Sequence, residues 1–581
     1  MRDDGRLVSD ISVLATGIVF VVGLVVLGFR LARIQLVDAV KYIEDGSRQS
    51  VRRVQTAGPR GRIVARDGTI LANNRASMYI AVNPEAFQRR SWDDTVSAIS
   101  KAAQDVASAV GLPPPPSTKT ISRHVRQQLA RPLVMWRDVG EEELARFAEL
   151  ELEHPGFECM ETEERVYPEG RLAAHVIGYV GRADTESAGT DRYNFRDKEM
   201  KGRAGLEAFY DGYLRGSPGE LQVTVDARGF AVSEIPVVEA HRGPDLVLSL
   251  DANIQREVER QLRGEHAACV VMDPRDGSVL AFASAPGYDL NLMVPRLSFE
   301  MMDRYITNSD YRNRASFETF APGSTFKPIT ALAGLAAGVD PKYKYECIGV
   351  YELAGMRLHC ARRWGHGPID MSYALEESCN TYFCDLGVDI GTNALFSAAR
   401  AFGLGEKTGL DFPQDSAGIV PSAEFKQRNY SAPWHSGDLV AAAIGQGQFL
   451  ATPLQMARVA GALGTGYLVR PHLRADASIE RTPIPFPGSA LSVVRDGMRL
   501  VVTKGAGSPA GEGVAVPVAG KTGTAEVGRG ATRRKNAWFI AYAPAEDPTV
   551  AIALIIENGV SGGTTAAPRV GAILKSIFGE K

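Results

Sequence analysis

The chain has 581 residues, more than one hydrophobic core accommodates and enough for about three or four units. Its 65 Lys and Arg against 68 Asp and Glu leave a formal charge of −3, which provides no basic footprint for a nucleic-acid partner. The 59 glycines and 32 prolines are scattered, which excludes collagen-like and low-complexity chains.

Residues 11–29 carry no charge, close to the about 20 apolar residues that cross a bilayer. The run is long for a signal peptide, and no small-x-small site precedes Arg30 and Arg33. It therefore reads as an uncleaved anchor over 11–30 behind a tail of residues 1–10. Arg2 and Arg6 before it are matched by Arg30, Arg33 and Lys41 after it, so the positive-inside rule does not set the orientation.

Residues 31–53 read as a helical continuation, broken by Gly58-Pro59-Arg60-Gly61-Arg62. Asp67-Gly68 between two apolar runs predicts a hairpin. A helical lobe is expected over about 91–155, from the periodicity of 96–110, the prolines at 113–116 and the charged stretch 141–151. Strand-like sequence returns at 165–168 and 173–181, and Gly205-Leu206-Glu207 opens a helix. His175 has no titratable neighbour in sequence and reads as structural. Strand signals at 246–251, a helix over 252–262 and strands at 267–273 and 277–283 place a second domain at 243–581, after a membrane-proximal one at 31–242.

Near the middle, Pro322-Gly323-Ser324-Thr325-Phe326-Lys327 enters an apolar-periodic stretch that runs to Gly338. On a helix, Ser324 and Lys327 share a face. Alone, such a pair is as well read as an N-cap serine and a solvated lysine. Two further elements accompany it: Ser378-Cys379-Asn380 at a helix entrance, and Lys521-Thr522-Gly523-Thr524 in an edge-strand context, where glycine would let a substrate backbone lie against the strand. Ser-x-x-Lys, Ser-x-Asn and Lys-Thr-Gly in that order form the signature of serine penicillin-binding enzymes and beta-lactamases.

The chemistry explains the set. A serine hydroxyl needs a base, and lysine is a base only when neutral, a state favoured by burying Lys327 with Lys521 nearby. Ser378 can relay a proton to the leaving amine, and Asn380 can hold the substrate amide and the lysine. Lys521 with Thr522 suits a carboxylate, and the backbone N–H groups of Ser324 and Thr524 would form an oxyanion hole.

With these motifs the sequence closely resembles the class B penicillin-binding proteins, from the anchor and Pro59-Arg60-Gly61-Arg62-Ile63 to Ile556-Glu557-Asn558-Gly559. Trp364-Gly365-His366-Gly367, Pro433-Trp434, Gly437-Asp438, Gly445-Gln446-Gly447 and Ala451-Thr452-Pro453-Leu454-Gln455-Met456 resemble the elongation type, penicillin-binding protein 2. The resemblance implies an α+β fold: one transmembrane helix, an elongated pedestal, and a transpeptidase domain with a five-stranded antiparallel sheet between helices. It further implies a catalytic domain on the outer face of the cytoplasmic membrane, a D-Ala-D-Ala stem-peptide donor that acylates Ser324, an acceptor amine from a neighbouring stem, and trapping by beta-lactams. No glycosyltransferase domain fits between anchor and pedestal, so the implied partners are a RodA-type polymerase and other elongation-complex proteins. The division-type relative, a beta-lactam sensor and a hydrolytic lactamase are the competing readings.

Cys347, Cys360, His366 and Cys379 follow the spacing C-x12-C-x5-H-x12-C. Disulfides, isolated buried thiols and a zinc site all suit the residues themselves, and the spacing is not that of a standard zinc finger. The family resemblance favours one structural zinc and no organic cofactor. Such a metal would brace the second motif through Cys379 without touching substrate; Cys384 reads as a core thiol. Toward the C-terminus, a basic turn containing Arg529, Arg533, Arg534 and Lys535 reads as a solvated hairpin, followed by strands at 537–542 and 550–556 and a closing helix over 566–578.

Overall fold

The structure is a computed structural model and describes residues 4–42, 50–150, 154–182, 194–196, 200–294, 299–528 and 533–581. Helix α1 (Asp4–Ala32) passes into a π-helical turn, Arg33–Val37. Its segment Ile11–Val37 is long and apolar enough to cross a membrane, and none of the tested window is buried within the protein. A helix apolar on all sides with no protein around it is suited to lipid as a membrane anchor, and it is the one such helix among the described residues.

The expected helix through residue 53 is corrected by a strand, Val51–Thr56, in a four-stranded sheet ordered Ala231–Val238, Gly219–Val225, Val51–Thr56, Asn194–Arg196. Val51 to Thr56 pair antiparallel with Thr224 to Gly219, so distant strand partners outweigh the local helical reading. Residues 43–49 between anchor and strand lie outside the described residues.

The Asp67-Gly68 hairpin forms: Ile63–Val64 pairs antiparallel with Ile70–Val82. The latter strand also pairs with Phe157–Val166, in register from Asn73 opposite Val166 to Val82 opposite Phe157. The helical lobe is Trp92–Val110, Thr118–Gln127 and Glu141–Leu150. Val96, Ile99, Ala103, Val106 and Val110 of its first helix are buried against Ile80 and Val82 of the long strand, so the lobe shares a core with the sheet. Ser91 caps that helix by accepting from Asp94 N–H, and Gly111 ends it at φ 88°. The strand reading of 173–181 is partly corrected, because Ala174–Ile177 is a helical turn and only Val180–Arg182 is extended.

Three separated segments meet in a buried ionic knot. Glu207 accepts from Arg60 Nη2 at 2.9 Å and from Arg165 Nε at 2.7 Å, and Arg60 Nη1 also donates to Asp211 at 2.8 Å. Nearby, Arg62 pairs with Asp245 at 2.6 Å, tying the Pro59-Arg60-Gly61-Arg62 segment to the start of the second domain.

That domain is built on five antiparallel strands, β1 (Ala267–Met272), β2 (Val279–Ala285), β3 (Ala519–Val527), β4 (Arg534–Ala543) and β5 (Val550–Ile556), in the order β2-β1-β5-β4-β3. Alternate residues enter different cores. Ala268, Val270, Trp538, Ile540, Ala553 and Ile555 face a core shared with Leu454, Met456 and Val459 of the helix Pro453–Thr465. Cys269, Val271, Phe539, Ala541, Ile552 and Leu554 face Val258 of the helix Ala252–Gln261 and Val570, Ile573 and Leu574 of the closing helix Ala567–Phe578. Both sheet faces are therefore covered by helices, and β3 is left at one edge.

Candidate active site and cysteine cluster

Ser324 lies in a 3-10 turn, Gly323–Phe326, that feeds directly into helix α2 (Lys327–Ala336). Gly323 has φ 57° and its N–H donates to Gly445 O at 2.8 Å. A Cβ on Gly445 would sit 2.3 Å from Gly323 O, so both positions require glycine. Trp538 Nε1 donates to Ala321 O at 3.0 Å and Thr325 Oγ1 to Pro322 O at 2.8 Å, which fixes the turn against β4. Ser324 itself is only partly covered.

Lys327 is fully buried. Its Nζ lies 2.7 Å from Ser378 O, 2.7 Å from Asn380 Oδ1 and 3.3 Å from Ser378 Oγ. The first two partners can only accept. A neutral amine satisfies both with its two N–H groups and keeps a lone pair for a hydroxyl proton. Burial drives the Lys327 pKa down to about 8, against an opposing pull from Cys379, Cys360 and Cys384. Among the described residues, Lys327 makes no hydrogen bond to Ser324 Oγ, although only two residues lie between them: the amine is turned toward the second motif.

That motif precedes helix α3 (Asn380–Ala401), which Cys379 caps. Ser378 has φ 54°, a left-handed conformation uncommon for a residue with a Cβ. This bend delivers the Ser378 carbonyl and hydroxyl to Lys327 while its neighbour Cys379 enters the cysteine cluster. Strained backbone concentrated at a hub of this kind is characteristic of reactive sites.

The Lys521-Thr522-Gly523-Thr524 segment occupies the edge strand β3, as the sequence predicts. The role of its glycine is corrected. A Cβ on Gly523 would lie 2.8 Å from Thr325 Cγ2 and 3.1 Å from Pro322 O, so the missing side chain admits the nucleophile turn of the same chain. Thr524 O would be 3.2 Å from a Cβ on Gly323, which sets Thr524 beside Ser324. Lys521 is fully buried, and among the described residues its Nζ donates only to Thr522 O, at 3.2 Å. Burial first, and the Lys327 charge second, hold its pKa well below the ordinary lysine value.

The four residues of the C-x12-C-x5-H-x12-C pattern converge. Cys347 Sγ and Cys360 Sγ lie 3.3 and 3.6 Å from His366 Nδ1, and Cys379 Sγ lies 3.5 Å from Cys347 Sγ and 3.8 Å from Cys360 Sγ. All four ligand atoms fall within 4.8 Å of one another. The edge of a tetrahedron with metal–sulfur bonds of about 2.3 Å is about 3.8 Å, so the set fits zinc in size and donor type. These sulfurs are too far apart for the about 2.05 Å of a disulfide, and none of the six cysteines is in a disulfide. Cys384 lies outside the cluster, buried with Sγ 3.9 Å from Val440 O.

Two residues around the cluster escaped the sequence reading. His366 Nε2 is 3.6 Å from Glu377 Oε2, and buried Thr381 places Oγ1 3.1 Å from Cys347 Sγ and 3.2 Å from Cys379 Sγ. Their signal was their position: Glu377, Cys379 and Thr381 alternate with Ser378 and Asn380, so one stretch serves the cluster and Lys327 in turn. Asn380 also reaches the cluster's lobe by donating from Nδ2 to His359 O at 3.1 Å. His175 is structural, as expected: it is buried, and its Nε2 lies 2.6 Å from Asp310 O. Of the basic turn, Arg529 lies outside the described residues.

Comparison with known proteins agrees with this geometry. Residues 267–575 match the penicillin binding protein transpeptidase domain, and residues 55–248 the penicillin-binding protein dimerisation domain. The peptidoglycan D,D-transpeptidase MrdA of Acinetobacter baumannii is 32% identical over 584 residues, 95% of this chain and 85% of that protein. MrdA of Escherichia coli K12 is 30% identical over 605 residues, 97% of this chain and 92% of that protein. Among solved structures, penicillin-binding protein 2 of Helicobacter pylori in complex with MreC superposes with a TM-score of 0.77 at 26% identity, covering 91% of this chain and 98% of that one. A peptidoglycan synthase complex that coordinates polymerization and crosslinking contributes a chain with a TM-score of 0.74 at 28% identity, covering 98% and 99%. The chain belongs to the MrdA, or penicillin-binding protein 2, family of serine-type peptidoglycan D,D-transpeptidases.

Proposed function

We propose that Ser324 is the nucleophile of an elongation-type transpeptidase that cross-links stem peptides. The observation that carries this reading is the fully buried Lys327, whose amine is bonded to Ser378 and Asn380 one helical turn from Ser324. Lys327 takes the Ser324 proton as Oγ attacks the penultimate D-alanine carbonyl. The C–N bond to the terminal D-alanine breaks, and that amine leaves with a proton relayed through Ser378. An acceptor amine then attacks the ester, loses a proton to the same relay, and restores Ser324. Lys521, buried with one neutral partner, has N–H donors to spare for the donor carboxylate, with Thr522 and Thr524 beside it and Gly523 setting the approach of the strand.

Several features support the wider assignment. No carboxylate shares the hydrogen bonds of Lys327 among the described residues, so nothing in that network activates water for a hydrolytic lactamase. The MrdA relatives favour elongation over the division-type and sensor readings. The MreC and synthase complexes of the structural neighbours support elongation-complex partners; a RodA-type polymerase as one of them, and a catalytic domain on the periplasmic side of the inner membrane, are part of this proposal. The pedestal is assigned to 31–242 and the transpeptidase domain to 243–581. Cys347, Cys360, His366 and Cys379 would hold one zinc ion, which supplies a rigid tie to the second motif and takes no part in acyl transfer. Fluorescent-penicillin labelling tests the nucleophile: a stable adduct should map to Ser324 and vanish in Ser324→Ala, and labelling that survives that change would refute it.

A further inference from the structure

At the sheet edge opposite β3, a cleft of about 930 Å³ opens between residues 169–175 of the dimerisation-domain region and the helix Ala252–Gln261, strand β2 and residues 307–310 of the catalytic region. Clefts of this size between domains are the usual place for a ligand. The catalytic motifs lie elsewhere and contribute nothing to its walls.

Its interior is lined by acceptors. Asp310 is only 7% exposed, yet its carboxylate makes no hydrogen bond or ion pair among the described residues; the nearest influences are the more distant charges of Arg171, His266, Arg304 and Arg314. Burial raises its pKa against the pull of these four cationic groups. The Asp310 carbonyl accepts from His175 Nε2 at 2.6 Å. Burial holds the His175 pKa at about 4, so the ring is neutral. Glu259 adds a second carboxylate, of which Oε1 accepts from Ala173 N–H at 2.7 Å.

The rim has the opposite character. Arg256 is tied to Glu169 at 2.8 Å, but Arg171 and Arg263 are exposed and their guanidinium groups make no hydrogen bond among the described residues. Acceptors within and free guanidinium donors outside complement a molecule with an ammonium group flanked by carboxylates. A volume near the upper end of the ordinary ligand range, about 300 to 1,000 Å³, suits a short peptide better than a single amino acid.

We propose that this cleft binds a short zwitterionic peptide, its ammonium group on Asp310 and its carboxylates on Arg171 and Arg263. The free amine and carboxylates of an uncross-linked stem peptide have this chemistry; naming the stem as ligand rests on the transpeptidase reading, whereas the charge pattern does not. Bound there, the peptide would occupy a site remote from Ser324 and bridge the pedestal and catalytic regions.

The test uses the full chain in lipid nanodiscs, with Ser324 first acylated by benzylpenicillin to close the donor site. The tripeptide L-Ala-γ-D-Glu-L-Lys, which lacks D-Ala-D-Ala, is titrated by calorimetry. Saturable binding is expected, weakened about tenfold or more by Asp310→Asn and by Arg263→Gln, as for loss of a charge-assisted contact. Fluorescent-penicillin acylation of both unblocked variants should match the wild type. No saturable binding at millimolar peptide, or equal binding by wild type and Arg263→Gln, overturns the proposal. Arg263 is exposed, so its variant decides the matter even where Asp310→Asn impairs folding. Failure of the transpeptidase reading would register separately, as absence of the benzylpenicillin adduct.

Discussion

The backbone N–H of Asn380 donates to Cys360 Sγ at 3.4 Å, while the Asn380 side chain accepts from Lys327 at 2.7 Å. One residue thus joins the cysteine cluster to the Lys327 amine. A hydrogen bond with Cys379, followed by Asn380 N–H, His366 and Lys327, lowers the Cys360 pKa against the cost of burial.

This linkage predicts that purified protein carries one zinc per chain and that Cys360→Ala or His366→Ala removes it. Loss of the metal should lower the melting temperature and slow beta-lactam acylation together, because the anchor of Asn380 is lost with it. Metal analysis and thermal melts of the same preparations check this. Absence of zinc from the wild-type protein contradicts it.

The state of Lys327 predicts a pH profile. With a folded-state pKa of about 8, the free amine is the minor form below that value, and its population rises about tenfold per pH unit. The acylation rate should climb with pH through the neutral range and level off above about 8. Rates of fluorescent-penicillin acylation across this range measure it, and a flat profile below pH 8 would remove Lys327 as the base.

Gly523→Ala isolates the contact between the edge strand and the nucleophile turn. The new Cβ would meet Thr325 Cγ2 at 2.8 Å and Trp538 Cβ at 2.9 Å. Overpacking of this kind costs about 1 to 3 kcal/mol and should displace β3 from Ser324. Acylation is expected to fall more steeply than stability, as read by labelling rate against urea denaturation.

In the pedestal, Glu207→Ala leaves Arg60 and Arg165 buried without their shared carboxylate. Breaking a buried ion pair costs about 3 to 5 kcal/mol, so this region should melt earlier. Hydrogen exchange at Gly61 and Val180 would show the loss. Unchanged protection there would mean that the knot contributes little.

The three motifs were legible because their chemistry fixes residue type and order: Lys327 meets Ser378 and Asn380, and the strand of Lys521 lies against the turn that carries Ser324. The sheet was legible from its apolar runs at β1, β2, β4 and β5. Other features depended on contacts distant in sequence. Val51–Thr56 is a strand only because Gly219–Val225 lies beside it. Gly523 reads in sequence as room for substrate, whereas Thr325 packs against it in the folded chain. The Asp310 carboxylate, without a hydrogen bond among the described residues, has no sequence signal, since its surroundings are set by segments distant in the chain.

Reconstitution with a RodA-type polymerase and lipid-linked pentapeptide precursor, followed by muropeptide analysis, tests the central claim most directly. The wild-type chain should yield cross-linked dimers that disappear with Ser324→Ala while glycan synthesis continues. Glycan strands polymerised by the wild-type pair but never cross-linked would contradict the assignment.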